Sequence, residues 1–245
     1  TCLGWNKKNE AAFGEVSWSG SIPTDQGTLS LNAVNRFVKG DTLVLYTPHY
    51  GASTPSVTSI SAAEVVVRGG RSAGLRESGG PLEPGTWVLA GYGSNADLLR
   101  DIFPAGTRTP VRVQSDLTGS GGESWGEMEN IVQAGPFLLS EGEVRLDAEG
   151  FGNSLVNLRH PRSIVGLTND GSWIFMVIDG RNGLHASGAT LAEAAELLSS
   201  LDMAYALNLD GGGSSELWID GRLYNSPSEG RERPVSYGIG ARSVR

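Results

Sequence analysis

The stretch Ser163-Ile164-Val165-Gly166-Leu167-Thr168, then Asn169-Asp170-Gly171, then residues 172–179 (SWIFMVID), decides the fold. Two apolar runs separated by Asp-Gly turn chemistry read as a β-hairpin. Thr190 then opens the best helix of the chain. Thr190 and Glu193 stand at capping-box spacing, and Leu191, Ala194, Ala195, Leu198 and Leu201 form an apolar stripe. Residues 205–209 (YALNL) read as a buried strand. Residues 216–219 and 222–224, joined by Asp220-Gly221, read as a second hairpin. Strands outnumber helices and hairpins alternate with one good helix. The pattern predicts an α+β fold with a mixed or antiparallel sheet and few helices.

Upstream the signals are sparser. Residues 41–47 (DTLVLYT), 64–68 (EVVVR), 86–90 (TWVLA) and 111–114 read as strands. Residues 69–85 and 117–128, rich in glycine, read as loops. Residues 94–103 read as a short helix capped by Ser94 or Asn95, with Leu98, Leu99 and Ile102 on one face and Pro104 as its stop. The expected division is a β-rich part over 1–130 and a half carrying the chemistry over 131–245.

The chain has 245 residues, of which 35 are glycine, a proportion that suits tight turns better than a helical bundle. Net charge is −8, against the basic face that general nucleic-acid binding requires, but no bar to a small anion held by local arginines. The single cysteine, Cys2, has no partner in this chain for a disulfide. No stretch approaches the length of a membrane span. No signal peptide is visible at Thr1-Cys2-Leu3; a removed one stays open, and an extracellular or cell-envelope location is expected. Histidine occurs only as His49, His160 and His185, with no zinc-type spacing.

The chemistry concentrates at strand ends. Asn208-Leu209-Asp210-Gly211-Gly212-Gly213-Ser214-Ser215 delivers an amide and a carboxylate, then three glycines, then two hydroxyls. Three glycines carry a large entropic cost for a mere turn and suit an anion cradle of backbone N–H groups. The run is also linker composition, yet it lies between two predicted strands. Arg159-His160-Pro161-Arg162 precedes a strand, Asp179-Gly180-Arg181 follows one, and Glu229-Gly230-Arg231-Glu232-Arg233-Pro234 precedes an expected last strand. Polar residues at strand ends are where loops carry function, and arginine forks match phosphate. Asp-Gly is first of all a turn signal.

These clusters, taken in order, resemble the phosphodiester glycosidase family. The segments are 160–168 (HPRSIVGLT), 173–181 (WIFMVIDGR), 187–198 (SGATLAEAAELL), 206–218 (ALNLDGGGSSELW) and 232–241 (ERPVSYGIGA). The likeness covers roughly 133–245 and extends weakly to Asn35-Arg36 and 43–48. It implies a hydrolase that breaks the C1–O bond of a sugar-1-phosphodiester, releasing sugar and a phosphomonoester. Such an enzyme needs charge neutralisation on phosphate and a carboxylate for the oxocarbenium ion or for water. The resemblance implies Arg162, Arg181, Gly211, Gly212, Gly213 and Ser214 as phosphate holders. Asp179 and Asp210 are the candidate carboxylates. His160 binds or protonates phosphate, Asn208 orients the sugar or Asp210, and Arg233 binds phosphate or pairs with Glu229 or Glu232. A glycan or sugar-phosphate is the expected partner, and many bacterial members are linked loosely to exopolysaccharides. No cofactor is required and no metal ligand is assigned, though Asp210 beside carbonyls suits Ca²⁺ or another divalent cation.

Family members usually carry an upstream Asn-Gly-Gly-aromatic segment, which does not stand in this sequence. The expectation is therefore an N-terminally incomplete chain. Two other readings stay open. One is a non-catalytic cell-wall or polysaccharide-binding module, with Trp218 and Tyr224 stacking on sugars. The other is a self-cleaved two-chain hydrolase in which Thr1 is the nucleophile and its own amine the base, with the upstream piece retained as a second chain.

Overall fold

The computed structural model describes residues 1–183 and 185–242. The chain is α+β, mostly antiparallel sheet with short helices, as its pattern predicts. Two compact units are present: Ser17–Gly126, and Thr1–Val16 together with Glu127–Arg245. Their junction lies four residues before the expected 130/131 division, and the first sixteen residues join the second unit. No helix among the described residues is long and apolar enough to cross a membrane.

In the Ser17–Gly126 unit, a five-stranded sheet runs in the order Ala33–Val34, Leu43–Tyr46, Thr86–Tyr92, Ala62–Arg68, Arg71–Arg76. Its three inner strands are apolar at nearly every position because both faces are covered. Leu43, Val65, Val67 and Leu89 pack with Leu99 and Ile102 of the helix Ser94–Ile102, while Val44, Tyr46, Val88, Ala90 and Tyr92 form the other core. The expected helix is present, but its cap is neither Ser94 nor Asn95: Asp41 Oδ1 accepts from the Ser94 N–H at 2.9 Å. The expected 69–85 loop is corrected, because Arg71–Arg76 is a strand. Gly69 and Gly70, with φ of 59° and 69°, make the two-residue turn that a hairpin favours. Residues 111–114 do not form the expected strand. Val111 is a core residue, and the strand begins at Gln114 and runs to Gly119, into the glycine-rich stretch expected as loop.

In the other unit, Cys2–Trp5 lies between Ala11–Gly14 and Asn130–Gln133. A five-stranded sheet runs in the order Glu143–Val144, Phe137–Ser140, Met203–Asn208, Arg162–Thr168, Trp173–Ile178. The period-2 alternation divides its central strands between two cores. Leu138, Ile164 and Ala206 meet Leu191, Ala194, Ala195 and Leu198 of the helix Leu191–Ser199, while Phe137, Val165 and Leu207 meet Leu3 and Ala134. The Thr190–Glu193 capping box is present. Leu201, expected in the stripe, lies beyond the helix and is exposed. The second hairpin forms as Trp218–Ile219 with Arg222–Leu223. No strand forms over 234–242; there Tyr237 donates its hydroxyl to the Gln133 carbonyl at 3.0 Å.

Candidate active site

Antiparallel pairing gathers the candidate residues at one end of the five-stranded sheet. Arg162 pairs with Ile178, Ile164 with Asn208, and Phe137 with Leu207. Two strand starts and two strand ends therefore meet there. Just beyond them lie His160, the Asp179–Arg181 segment, the glycine run and the Gly135-Pro136 corner.

Each of the three glycines faces a different neighbour. A Cβ on Gly211 would lie 2.7 Å from the Pro161 carbonyl oxygen. Gly212 has φ +63°, and a Cβ there would lie 3.0 Å from Arg181 Nη1. A Cβ on Gly213 would lie 2.3 Å from Glu229 Oε1 and 3.2 Å from Arg233 Cδ. The run is not a linker: Gly212–Ser214 forms a 3₁₀ turn, and the Gly212 N–H donates to the Pro161 carbonyl at 3.0 Å. Close approach is real, but the groups that approach are two arginines, a carboxylate and a neighbouring backbone.

Arg233 spans the loop. Its Nε and Nη2 donate to Ser214 Oγ at 3.2 and 2.6 Å, and its Nη1 to Glu229 Oε1 at 3.2 Å. Of the two partners expected for it, Glu229 is the one engaged. Arg233 Nη2 also lies 3.9 Å from Asp210 Oδ2, and its backbone N–H donates to Glu216 Oε1 at 3.2 Å. The Asp210 side chain is 76% exposed, an open carboxylate at the rim of the loop.

Arg181 approaches from the other side, with Nη2 3.1 Å from His160 Nδ1. A guanidinium only donates, so Nδ1 accepts, and Nε2 carries the proton that goes to the Ser154 carbonyl at 3.0 Å. Both histidine nitrogens are thus spent on holding Arg181 and the Ser154 backbone.

Arg162 does not reach the loop surface. Its side chain is buried, and Nε donates to the Ala189 carbonyl at 2.8 Å while Nη2 donates to those of Leu155 and Leu158 at 2.8 and 3.0 Å. Burial pushes its pKa down from the usual arginine value, and the nearby Arg181 charge adds to that. It has no carboxylate partner among the described residues, so its charge contributes to the field around Arg181.

Asp179 is held at both oxygens. Oδ1 accepts from Asn225 Nδ2 at 2.9 Å and Oδ2 from the Ser226 N–H at 3.0 Å. Asn208 is buried, with Nδ2 donating to the carbonyls of Leu209 at 2.8 Å and Gly135 at 3.2 Å; among the described residues its Oδ1 has no partner. The Thr1 hydroxyl donates to Glu149 Oε2, and Glu149 Oε1 accepts from the Phe137 N–H at 2.8 Å. Asn225, Ser226, Glu149 and Gly135 carry no local signal in the sequence; only long-range pairing brings them here.

Among the described residues no three His, Cys, Asp or Glu side chains gather in a group fit for a metal ion. The cation beside Asp210 is the Arg233 guanidinium. A concavity of about 300 Å³ in the Ser17–Gly126 unit, bounded by Arg68, Ser72, Phe103 and Arg108 among others, has no carboxylate in its lining and offers no comparable chemistry.

The family model for phosphodiester glycosidase (NAGPA) matches residues 61–242. Over 80 residues the chain is 39% identical to the SPbeta prophage-derived uncharacterized protein YomE of Bacillus subtilis, a match covering 33% of this chain and 12% of that protein. Over 103 residues it is 31% identical to the N-acetylglucosamine-1-phosphodiester alpha-N-acetylglucosaminidase of Bos taurus, covering 40% of this chain and 19% of that enzyme. The crystal structure of a hypothetical protein from Synechocystis superposes with a TM-score of 0.70 at 26% identity, covering 93% of this chain and 42% of that one. The matched parts thus span less than half the length of each relative.

Proposed function

This chain belongs to the phosphodiester glycosidase family, and from that premise we propose that it hydrolyses the C1–O bond of a sugar-1-phosphodiester. The observation that carries the reading is the pair of arginines at the glycine turn, Arg181 with its guanidinium against Gly212 and Arg233 with its guanidinium on Ser214 Oγ, with the open Asp210 carboxylate at the same loop. Two arginine forks at one backbone turn suit the non-bridging oxygens of a phosphodiester.

In this reading water supplies an oxygen to C1, and the C1–O bond breaks with its electron pair leaving on the phosphate oxygen. The products are free sugar, a phosphomonoester and a proton. A phosphate ester is already a good leaving group, so the work falls on neutralising its growing charge. Arg181 and Arg233 do that. Asp210, open to solvent, stabilises the positive charge at C1 or takes the proton of the attacking water. Asp179 becomes a positioning residue that fastens the Asn225-Ser226 wall, and His160 one that aims Arg181. Arg162 acts at a distance by its charge, and Asn208 fixes the strand end from which Asp210 projects.

The test is product analysis on a panel of sugar-1-phosphodiesters, wild type beside Asp210→Asn. The expected outcome is sugar and phosphomonoester from wild type, with the rate falling at least about a hundredfold in Asp210→Asn. Turnover that Asp210→Asn leaves intact removes Asp210 from the chemistry. No turnover across the panel overturns the glycosidase reading for this chain.

A further inference from the structure

The charges around the loop are unbalanced in an informative way. Two guanidinium groups meet the turn, that of Arg181 against Gly212 and that of Arg233 on Ser214 Oγ. Three carboxylates surround the same turn: Asp210 at 3.9 Å from Arg233 Nη2, Glu216 on the Arg233 backbone N–H, and Glu229 on Arg233 Nη1. Glu229 comes closest to the turn itself, its Oε1 lying where a Gly213 side chain would begin. A site built only to hold anions gains nothing from a carboxylate there. It costs binding to any anion, and about twice as much free energy to a dianion as to a monoanion, because like-charge repulsion scales with the product of charges.

We propose that Glu229 is a specificity residue that makes the loop select the singly charged phosphodiester over the doubly charged phosphomonoester. The inference rests on the phosphodiester reading of this loop and adds a direction to it. The substrate carries one negative charge on phosphorus. The product carries two above a second pKa of about 6. The arginines meet part of the second charge as it develops, but Arg233 is already shared among Glu229, Asp210 and Ser214, so the finished dianion is held more weakly than a loop without the Glu229 charge would hold it. Product is expelled as it forms, and phosphomonoesters elsewhere in solution do not occupy the site.

The experiment uses two ligands that lack a sugar and so cannot turn over: methyl phenyl phosphate, with one charge, and phenyl phosphate, with two. Each is titrated into the intact protein and followed by phosphorus NMR, in wild type and in Glu229→Gln. At about pH 8 wild type is expected to bind the diester at least about tenfold more tightly than the monoester. That preference fades as the pH falls towards about 5, where the monoester dianion takes up a proton and becomes singly charged. Glu229→Gln is expected to raise monoester affinity about tenfold at the higher pH and diester affinity only about threefold, as half the charge dictates. Equal changes for both ligands would mean that the substitution only loosens Arg233, and the inference falls. Equal binding of both ligands by wild type at the higher pH also overturns it, with no variant needed, while leaving the phosphate site intact. Binding of neither ligand removes the phosphate site itself, and the inference with it.

Discussion

The third glycine of the run tolerates change and the first does not, although the sequence spells them alike. At Gly211 the obstacle is a backbone oxygen, Pro161 O at 2.7 Å from the position of an added Cβ, and a backbone in a paired strand region cannot yield cheaply. At Gly213 the obstacles are the far end of Glu229 and the side chain of Arg233, both half-exposed. Gly211→Ala is therefore expected to cost about 1–3 kcal/mol of stability, the usual range for overpacking. Gly213→Ala is expected to cost little stability but to push Glu229 and Arg233 off the loop. Urea unfolding of both variants, beside turnover, separates the two effects; equal stability losses would mean that the loop yields at Gly211 as readily as at Gly213. From the sequence the glycines read as room for a ligand's approach. That each is walled by a named residue, 50, 31 and 16 positions away in the chain (Pro161, Arg181 and Glu229 respectively), is a product of folding that no local pattern encodes.

At the scale of elements, legibility follows the range of the forces. The helix Leu191–Ser199 was readable because its determinants are local: a capping box and an i, i+3, i+4 stripe. Both Asp-Gly hairpins were readable for the same reason, the second with Asp220 and Gly221 at φ 49° and 76°. The helix Asn153–Asn157 had no such signal, for none of its residues is buried; Arg162 secures its far end through the Leu155 and Leu158 carbonyls. Helix-end electrostatics give a pH prediction. The Thr190 backbone N–H holds the Glu193 pKa below its ordinary value, and the Arg159 guanidinium, in direct contact with it, adds to the effect. A carboxylate whose folded pKa is lowered contributes stability above its unfolded pKa and loses it as pH falls through the folded one. The stability difference between wild type and Glu193→Gln should thus be present at neutral pH and vanish in acid below the ordinary carboxylate range. Thermal unfolding across that range checks it, and a difference that grows on acidification would contradict the sign.

At the scale of the molecule the chain's connectivity sets which parts fail together. Each apolar cluster draws its residues from one unit: two lie within Ser17–Gly126 and two within Thr1–Val16 plus Glu127–Arg245. The second unit is made from both sides of the first in sequence, and its three-stranded sheet closes only when Cys2 finds Gln133 and Trp5 finds Asn130. Pairing over that separation leaves no trace in local periodicity, which is why a simple division of the sequence near residue 130 looked natural. It also means that the candidate site depends on a strand remote from it. Leu3 is fully buried with Ala134, Phe137, Val165 and Leu207, on the sheet face opposite the long helix. Leu3→Ala is expected to cost about 2–5 kcal/mol, the range for truncating a buried leucine. The loss should be confined to its own unit, since stability is distributed by cooperative blocks. Hydrogen exchange reads this directly. Amides of Arg162–Thr168 and Met203–Asn208 should lose protection in the variant, while those of Ala62–Arg68 and Thr86–Tyr92 keep theirs. Equal loss in all four strands would mean that the two sets of cores unfold as one block. Turnover, if the proposed chemistry holds, should fall in step with the first pair of strands, because Asn208 and Arg162 fix the ends from which the glycine loop and Arg181 are hung.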